Sequence, residues 1–390
     1  MSGPIAAPYD AFLQDLACVG VRTVGRGAAG RPYAVLAART NRRWWLLPLS
    51  ERSATLSGLA MFQPLTTGAR LARAGVSALA RTGLYTRFAR HVVRFDRLPD
   101  LPGLDDHAID EVAYFTGTDG PHRKTTVQLM RRGGTILGYA RISRKPIVRP
   151  FLTAEAWILT RLQGLGLESA YTPRVLALDR RTDCAVLITD SQRRPGLTSP
   201  PEPGPAHLTF LHELRNKTAT PGPAPSLRIR DYLVRLEPSL SRSWIDRFRM
   251  GLARLHDREE DLPQCLVHGD FTPTNCFELG SRLYVFDWEY ALDPGPVGFD
   301  YAHYVLACPQ NGSSDETVAR LTERISAFFL DGDRNLARAS LLSYLLLHAG
   351  FYMNRLSLDG QDPGDWESGT ARAALVDAVL RQASENTGSC

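Results

Sequence analysis

The stretch that most restricts this chain is residues 266–291, LVHGDFTPTNCFELGSRLYVFDWEYA. In it His268, Asp270, Asn275, Asp287 and Glu289 interrupt runs that otherwise have the apolar content of buried strands. Four residues, Pro273 among them, separate Asp270 from Asn275, a spacing too short for a helix and suited to a rigid loop. CFEL and RLYVF flank a turn at Gly280-Ser281, so Asp287, at the end of the second run, returns toward that loop. Two carboxylates and an amide oxygen converging in this way suit a hard cation such as Mg²⁺ bridging nucleotide phosphates, with Asp270 left to take a proton from an attacking hydroxyl. Any one of these residues alone would read as a satisfied polar group at a strand-loop junction; their combined spacing points to chemistry.

Composition narrows the setting. A chain of 390 residues, 44% hydrophobic and 22% charged, has room for more than one core, and two or more domains are expected. A net charge of +5 is too small for a generalised nucleic-acid binder, so no nucleic-acid partner is expected. The six cysteines are scattered without a CxxC pair, which suggests neither a zinc knuckle nor a disulfide framework and fits a reducing cytoplasm. The start lacks the basic and apolar regions of a signal peptide, and no stretch reaches the ~20 apolar residues that span a bilayer. The most apolar run, ASLLSYLLLHAGFYM at 339–353, reads as a buried helix.

The pattern divides the chain into three parts. Residues 1–105 open with a short helix, continue with strands in YAVLAARTNRRWWLLPL, then an Arg-punctuated helical segment, and close on LPDLPGLDD. Residues 106–193 carry two β-rich runs around a Gly/Pro turn in DEVAYFTGTDGPHRKTTVQLM, a further strand in GYARIS, a helix with Thr153 as its N-cap, and the strand AVLITD. Residues 194–390 begin with a proline-rich stretch to 226 that reads as an exposed connection, followed by a chiefly helical region.

D-x-x-x-x-N followed by a strand-end Asp is the arrangement of kinase-type phosphoryl transfer, with HGD in place of H-R-D and DWE in place of D-F-G. With these residues the segment resembles the aminoglycoside phosphotransferase and choline kinase-like branch of the protein-kinase-like fold, and the likeness extends more loosely over residues 109–355. The resemblance implies an α+β, two-lobed fold: a small antiparallel-sheet N-lobe, a mainly helical C-lobe and an extra N-terminal region. It implies ATP and Mg²⁺ as cofactors and transfer of the γ-phosphate to a hydroxyl of a small molecule, such as an aminoglycoside, amino-alcohol or sugar. Asp270 becomes the catalytic base, Asn275 and Asp287 the metal ligands, Glu289 a supporting acid and His268 a brace of the loop. Asp300, in GPVGFDYAHY, matches the family's buried acid that holds the loop backbone, and Trp288 reads as packing. A protein-substrate kinase is disfavoured because no long activation segment with an A-P-E signature follows Asp287.

On the nucleotide side, TGTDGPHRKTT supplies Gly117 and Gly120, which let a backbone approach phosphate, with Arg123 and Lys124 beside them; an ordinary hairpin turn has the same content. The family's phosphate-binding Lys falls at Arg141, with Lys145 beyond the strand end and Glu155 as the candidate helix partner. This departure motivates a second hypothesis, a catalytically weak pseudokinase-like binding or scaffold protein. The strand-to-lobe linker near LITDSQ, with Thr189 and Asp190 as edge positions, is the expected place of backbone bonds to the base.

Residues 53–95 contain Arg70, Arg73, Arg81, Arg87, Arg90 and Arg94 and no acid. The segment reads as a solvated face packed on the core, with peripheral contact to an anionic surface as the alternative. DREED at 257–261 reads as a solvated loop, or as an attractor for a cationic acceptor.

Overall fold

A computed structural model of the chain describes residues 8–385, apart from 26, 38–42, 63–66, 90, 104–108, 195–196, 198, 221–223, 257 and 259. Arg90, Asp257 and Glu259 of the sequence reading, and part of the LPDLPGLDD boundary, therefore lie outside the described residues. The chain resolves into two compact units, Met1–Gly166 with Tyr171–Leu197, and Leu167–Ala170 with Thr198–Cys390.

In chain order, the first part runs α1 (Pro8–Cys18), β1 (Arg31–Ala37), β2 (Trp44–Pro48), α2 (Arg52–Gly58), α3 (Thr67–Thr82), α4 (Tyr85–Phe88) and β3 (Val92–Phe95). It continues through β4 (Glu111–Phe115), β5 (Thr125–Met130), β6 (Ile136–Ser143), α5 (Arg149–Leu165), β7 (Ala170–Tyr171), β8 (Val175–Arg180) and β9 (Ala185–Asp190). Eight of these strands form one antiparallel sheet in the order β3-β1-β2-β4-β5-β6-β9-β8.

Alternation along the strands assigns the two faces. Val112, Tyr114, Val127, Leu129, Ala140, Ile142, Val186 and Ile188 join Phe12 and Leu16 of α1 in one core. On the opposite face Ala185 and Leu187 pack with Leu152 and Ala156 of α5, and Ala113 and Met130 with Ala54 of α2. The N-terminal strands β1–β3 thus belong to the same sheet as β4–β6, joined through the β2–β4 pairing of Trp45 with Phe115 and Leu46 with Tyr114. α5 starts at Arg149, so Thr153 is inside the helix and does not cap it. Pro150 sits in the first turn, where its missing N–H would have had no helical partner. Of the arginines of the basic segment, Arg70, Arg81 and Arg87 are exposed and Arg73 and Arg94 are half-buried.

The second unit contains α6 (Pro205–Thr218), α7 (Pro225–Leu236), α8 (Arg242–His256), β10 (Gln264–Val267), β11 (Cys276–Leu279), β12 (Arg282–Val285) and β13 (Leu292–Pro296). Then come α9 (Phe299–Leu306), α10 (Ser314–Phe329), α11 (Arg334–Leu358) and α12 (Gly369–Glu385). The proline-rich stretch 194–226 is not only a connection: it holds α6, which buries His207, Phe210, Leu211 and Leu214. Pro205 at the start of α6 marks a beginning, which explains why proline content misled the sequence reading there. α11 is buried along most of its length from Ala337 to Gly350, the helix expected from the apolar run. No helix among the described residues is long and apolar enough to cross a membrane. The fold class is α+β, with an antiparallel-sheet unit and a mainly helical unit.

Candidate active site

The loop 268–275 leaves β10 and enters β11, and its backbone is fixed before any side chain can act. Gly269 has φ +82°, and a Cβ there would lie 2.0 Å from the Tyr290 carbonyl oxygen, so the central residue of HGD must be glycine. The Asp300 carboxylate, buried at the start of α9, accepts the N–H groups of His268 (2.7 Å) and Gly269 (3.0 Å). Burial pushes the Asp300 pKa up, against the pull of His268 and those two N–H groups. The fully buried His268 closes the loop from inside. Its Nε2 donates to the Phe286 carbonyl (2.9 Å) and its Nδ1 accepts the Asp270 N–H (3.2 Å). Trp288 packs its ring 4.5 Å from that imidazole, a packing role as expected.

On this frame Asn275 Nδ2 donates to both the carbonyl oxygen (2.9 Å) and the Oδ2 (2.8 Å) of Asp270. With the amide nitrogen so engaged, the amide oxygen of Asn275 remains as an acceptor. The β11–β12 hairpin turns at Gly280-Ser281, pairs Cys276 with Val285, and sets the Phe286 N–H on the Asn275 carbonyl at 3.0 Å. Asp287 therefore follows immediately beside Asn275. Its backbone is left-handed (φ 70°, ψ 55°), one of two non-glycine residues with positive φ among those described. For an L-residue that conformation is uncommon and concentrates at functional sites. A carboxylate oxygen of Asp287 and one of Glu289 lie within 4.8 Å of each other. Burial, reinforced by those two carboxylates, pushes the Tyr290 phenol far up. The structure thus joins Asp270 to Asn275 by hydrogen bonds and sets the residue before Asp287 against the Asn275 backbone, with a carboxylate oxygen of Glu289 close to one of Asp287.

In the sheet unit, Gly117 follows β4 with φ +84°, and a Cβ there would come within 2.2 Å of the Lys124 carbonyl oxygen. Gly120 also has positive φ. Arg123 turns inward: its Nη2 meets Asp15 of α1 at 2.5 Å, and its Nη1 donates to the Thr116 carbonyl at 2.9 Å. Lys145 donates to the Gly120 carbonyl at 2.5 Å. Lys124 is half-buried at the edge of β5. Arg141 on β6 forms a buried ion pair with Glu155 of α5, the two residues that the sequence set as partners. Thr189 is buried opposite Tyr139 in the β6–β9 ladder, and the Asp190 carboxylate holds Arg174 through its N–H and Nε, each at 2.6 Å.

The sequence pattern of the phosphotransferase enzyme family, APH, matches residues 139–341, just over half of the chain. The chain belongs to this family. The match takes in Arg141, Glu155, the whole 268–291 segment and Asp300, and leaves residues 1–138 outside it. This phosphotransferase is also similar to solved structures. An apo thermostable mutant of aminoglycoside phosphotransferase APH(4)-Ia is 17% identical, with 72% of this chain and 97% of that one covered at a TM-score of 0.48. The GDP and kanamycin complex of APH(2″)-IIIa is 15% identical, covering 71% and 95% at 0.48. Macrolide 2′-phosphotransferase MphH from Brachybacterium faecium is 16% identical, covering 65% and 88% at 0.40. No curated protein matches the chain significantly.

The phosphotransferase's loop has one partner the sequence reading missed. His303 Nε2 lies 3.1 Å from Asp270 Oδ1, and its Nδ1 lies 3.3 Å from the Tyr344 hydroxyl. The signal was present: His303 stands three residues after Asp300 on one helix, so both side chains project from one face of α9.

Proposed function

We propose that this phosphotransferase transfers the γ-phosphate of ATP, as its Mg²⁺ complex, to a hydroxyl of a small molecule, with Asp270 as the base. The observation that supports this reading is the Asn275–Asp270 hydrogen bond together with the hairpin that seats Phe286 on the Asn275 backbone and leaves the next residue, Asp287, in a left-handed conformation. Asn275 and Asp287 would hold the metal, with Glu289 in support. The fit rests on the hard oxygen donors and on two adjacent carboxylates whose mutual repulsion a cation relieves. When bound there, Mg²⁺ supplies neutralisation of charge on the phosphates.

The chain's own part is positional and electrostatic. Asp270 orients the acceptor hydroxyl and accepts its proton as the acceptor oxygen bonds to the γ-phosphorus; the bond from phosphorus to the bridging oxygen breaks and ADP leaves. Gly117, Gly120, Lys124 and the Arg141–Glu155 pair are proposed for the phosphates, with Arg141 in the role of lysine, and the backbone near Thr189 and Asp190 for the base. Arg123 and Lys145 are held by Asp15 and Gly120 and are given no phosphate role.

The test is a screen of purified protein for phosphate transfer from labelled ATP or GTP to pooled aminoglycosides, amino-alcohols, sugars and nucleosides, with and without Mg²⁺. Metal-dependent phosphorylation of one pool supports the reading. Nucleotide binding without transfer to any pool and without phosphate release would instead support the scaffold reading that Arg141 motivates.

A further inference from the structure

We propose that His303 and Tyr344 form a positioning relay that locks the Asp270 carboxylate in its working orientation. The proposal rests on Asp270 being the base, and it adds residues outside the loop and hairpin that carry that assignment.

The geometry gives each carboxylate oxygen its own tether. Oδ2 accepts from Asn275 Nδ2 at 2.8 Å, within the loop, and Oδ1 accepts from His303 Nε2 at 3.1 Å, from α9. Rotation about the Cβ–Cγ bond of Asp270 must break both. An ionised carboxylate offers about four lone-pair sites, so two tethers still leave room for an acceptor hydroxyl. The Asp270 side chain keeps 26% of its surface exposed, while that of His303 keeps 5%. One group is open to a reactant; the other is sealed and acts through it.

The tautomer follows from the partners. A carboxylate only accepts, so His303 Nε2 carries the proton, and Nδ1 accepts from the Tyr344 hydroxyl at 3.3 Å. Tyr344 is fully buried on α11 and burial raises its pKa, so its O–H remains a donor. His303 is held laterally by Phe299, Tyr344 and His348, whose rings lie 6.3, 6.0 and 5.1 Å from it. The chain from Tyr344 through His303 to Asp270 thus resembles the orienting logic of a base held by a third group, with the carboxylate at the reacting end.

The experiment uses the full-length protein and MgATP hydrolysis, with water as the acceptor, in Asp270→Asn, His303→Leu, His303→Gln, Tyr344→Phe and the Leu/Phe double variant. Asp270→Asn should lower turnover by about 10²-fold or more while nucleotide still binds. His303→Leu should lower kcat about 10- to 100-fold, the cost of a base out of alignment, while the KM for ATP moves less than about twofold. His303→Gln, whose side-chain N–H can reach Oδ1, should recover part of the loss. Tyr344→Phe should give a smaller loss that disappears in the His303→Leu background, because both act on one orientation. Wild-type kcat in a folded His303→Leu protein, or independent multiplying effects of the two substitutions, would overturn the relay while leaving Asp270 as base. Should His303→Leu fail to fold, His303→Gln at or below the activity of Tyr344→Phe supports the relay, and wild-type kcat in both overturns it. Wild-type turnover in a folded Asp270→Asn protein would instead remove the base assignment and the relay with it.

Discussion

Asp300 and His268 are joined by a 2.7 Å hydrogen bond from the His268 backbone N–H to the Asp300 carboxylate, so an acid from α9 holds the 268–275 loop by its backbone. A second N–H, from Gly269, reaches the other oxygen at 3.0 Å. Asp300→Ala leaves both buried donors unsatisfied, and the expected loss of stability is about 2–5 kcal/mol. Asp300→Asn keeps one acceptor and should lose less. Urea unfolding of the two variants checks the order.

Asp287→Ala should remove the Mg²⁺-dependent part of nucleotide binding and leave the fold intact, since the hairpin register is set by Cys276–Leu279 against Arg282–Val285. Alanine also tolerates the left-handed backbone less well than aspartate, so a small destabilisation of about 1 kcal/mol is expected alongside. Isothermal titration with ATP in the presence and absence of Mg²⁺ separates the two effects: metal-enhanced binding is expected in wild type and absent in the variant.

Arg141→Ala removes the guanidinium from the Glu155 carboxylate, whose side chain has no exposed surface. The expected cost is about 3–5 kcal/mol in a denaturant melt. Arg141→Lys keeps a charge and should cost less, although an ammonium cannot reproduce the guanidinium fork. A rise in the KM for ATP in the lysine variant, with the fold retained, would tie this pair to phosphate binding.

Glu213 on α6 gives the acid-stability signature. Against the burial that alone would raise its pKa, hydrogen bonds from the Ser169 hydroxyl and the N–H groups of Glu168 and Ser169, with Lys217, hold it down to about 2 from an ordinary 4.5. A depressed carboxylate contributes stability that is fully present above pH 4.5 and is lost as pH falls through 4.5 toward 2. Relative to Glu213→Gln, wild type should lose on the order of 2 kcal/mol between pH 5 and pH 2, measured by urea unfolding at each pH.

The candidate catalytic loop was legible in the sequence because its constraints are local. Asp270, Pro273 and Asn275 lie within one turn of chain, and Asp287 is brought back by a hairpin whose turn can be read directly. The β4–β6 strands and α5 were legible for the same reason, through alternation and helical period. What was hidden depends on contacts between distant residues. Nothing in the sequence of β1–β3 says that β2 pairs with β4, or that α1 will bury Asp15 against Arg123, 108 residues away. The basic and apolar content of Arg123 suited a phosphate loop equally well until its buried partner appeared. α6 was obscured by prolines that break a helix only when they fall inside it. His303 shares a face of α9 with Asp300, which the spacing showed, but its partner Asp270 lies 33 residues earlier and was not legible.

The most direct measurement is turnover and nucleotide affinity of Asp270→Asn on the acceptor that the screen identifies. Asparagine keeps the volume and one hydrogen-bond acceptor but cannot take the hydroxyl proton, so kcat should fall by about 10²–10⁴-fold or more while the Kd for MgATP stays within about twofold. Transfer at the wild-type rate by a folded Asp270→Asn protein would contradict the account.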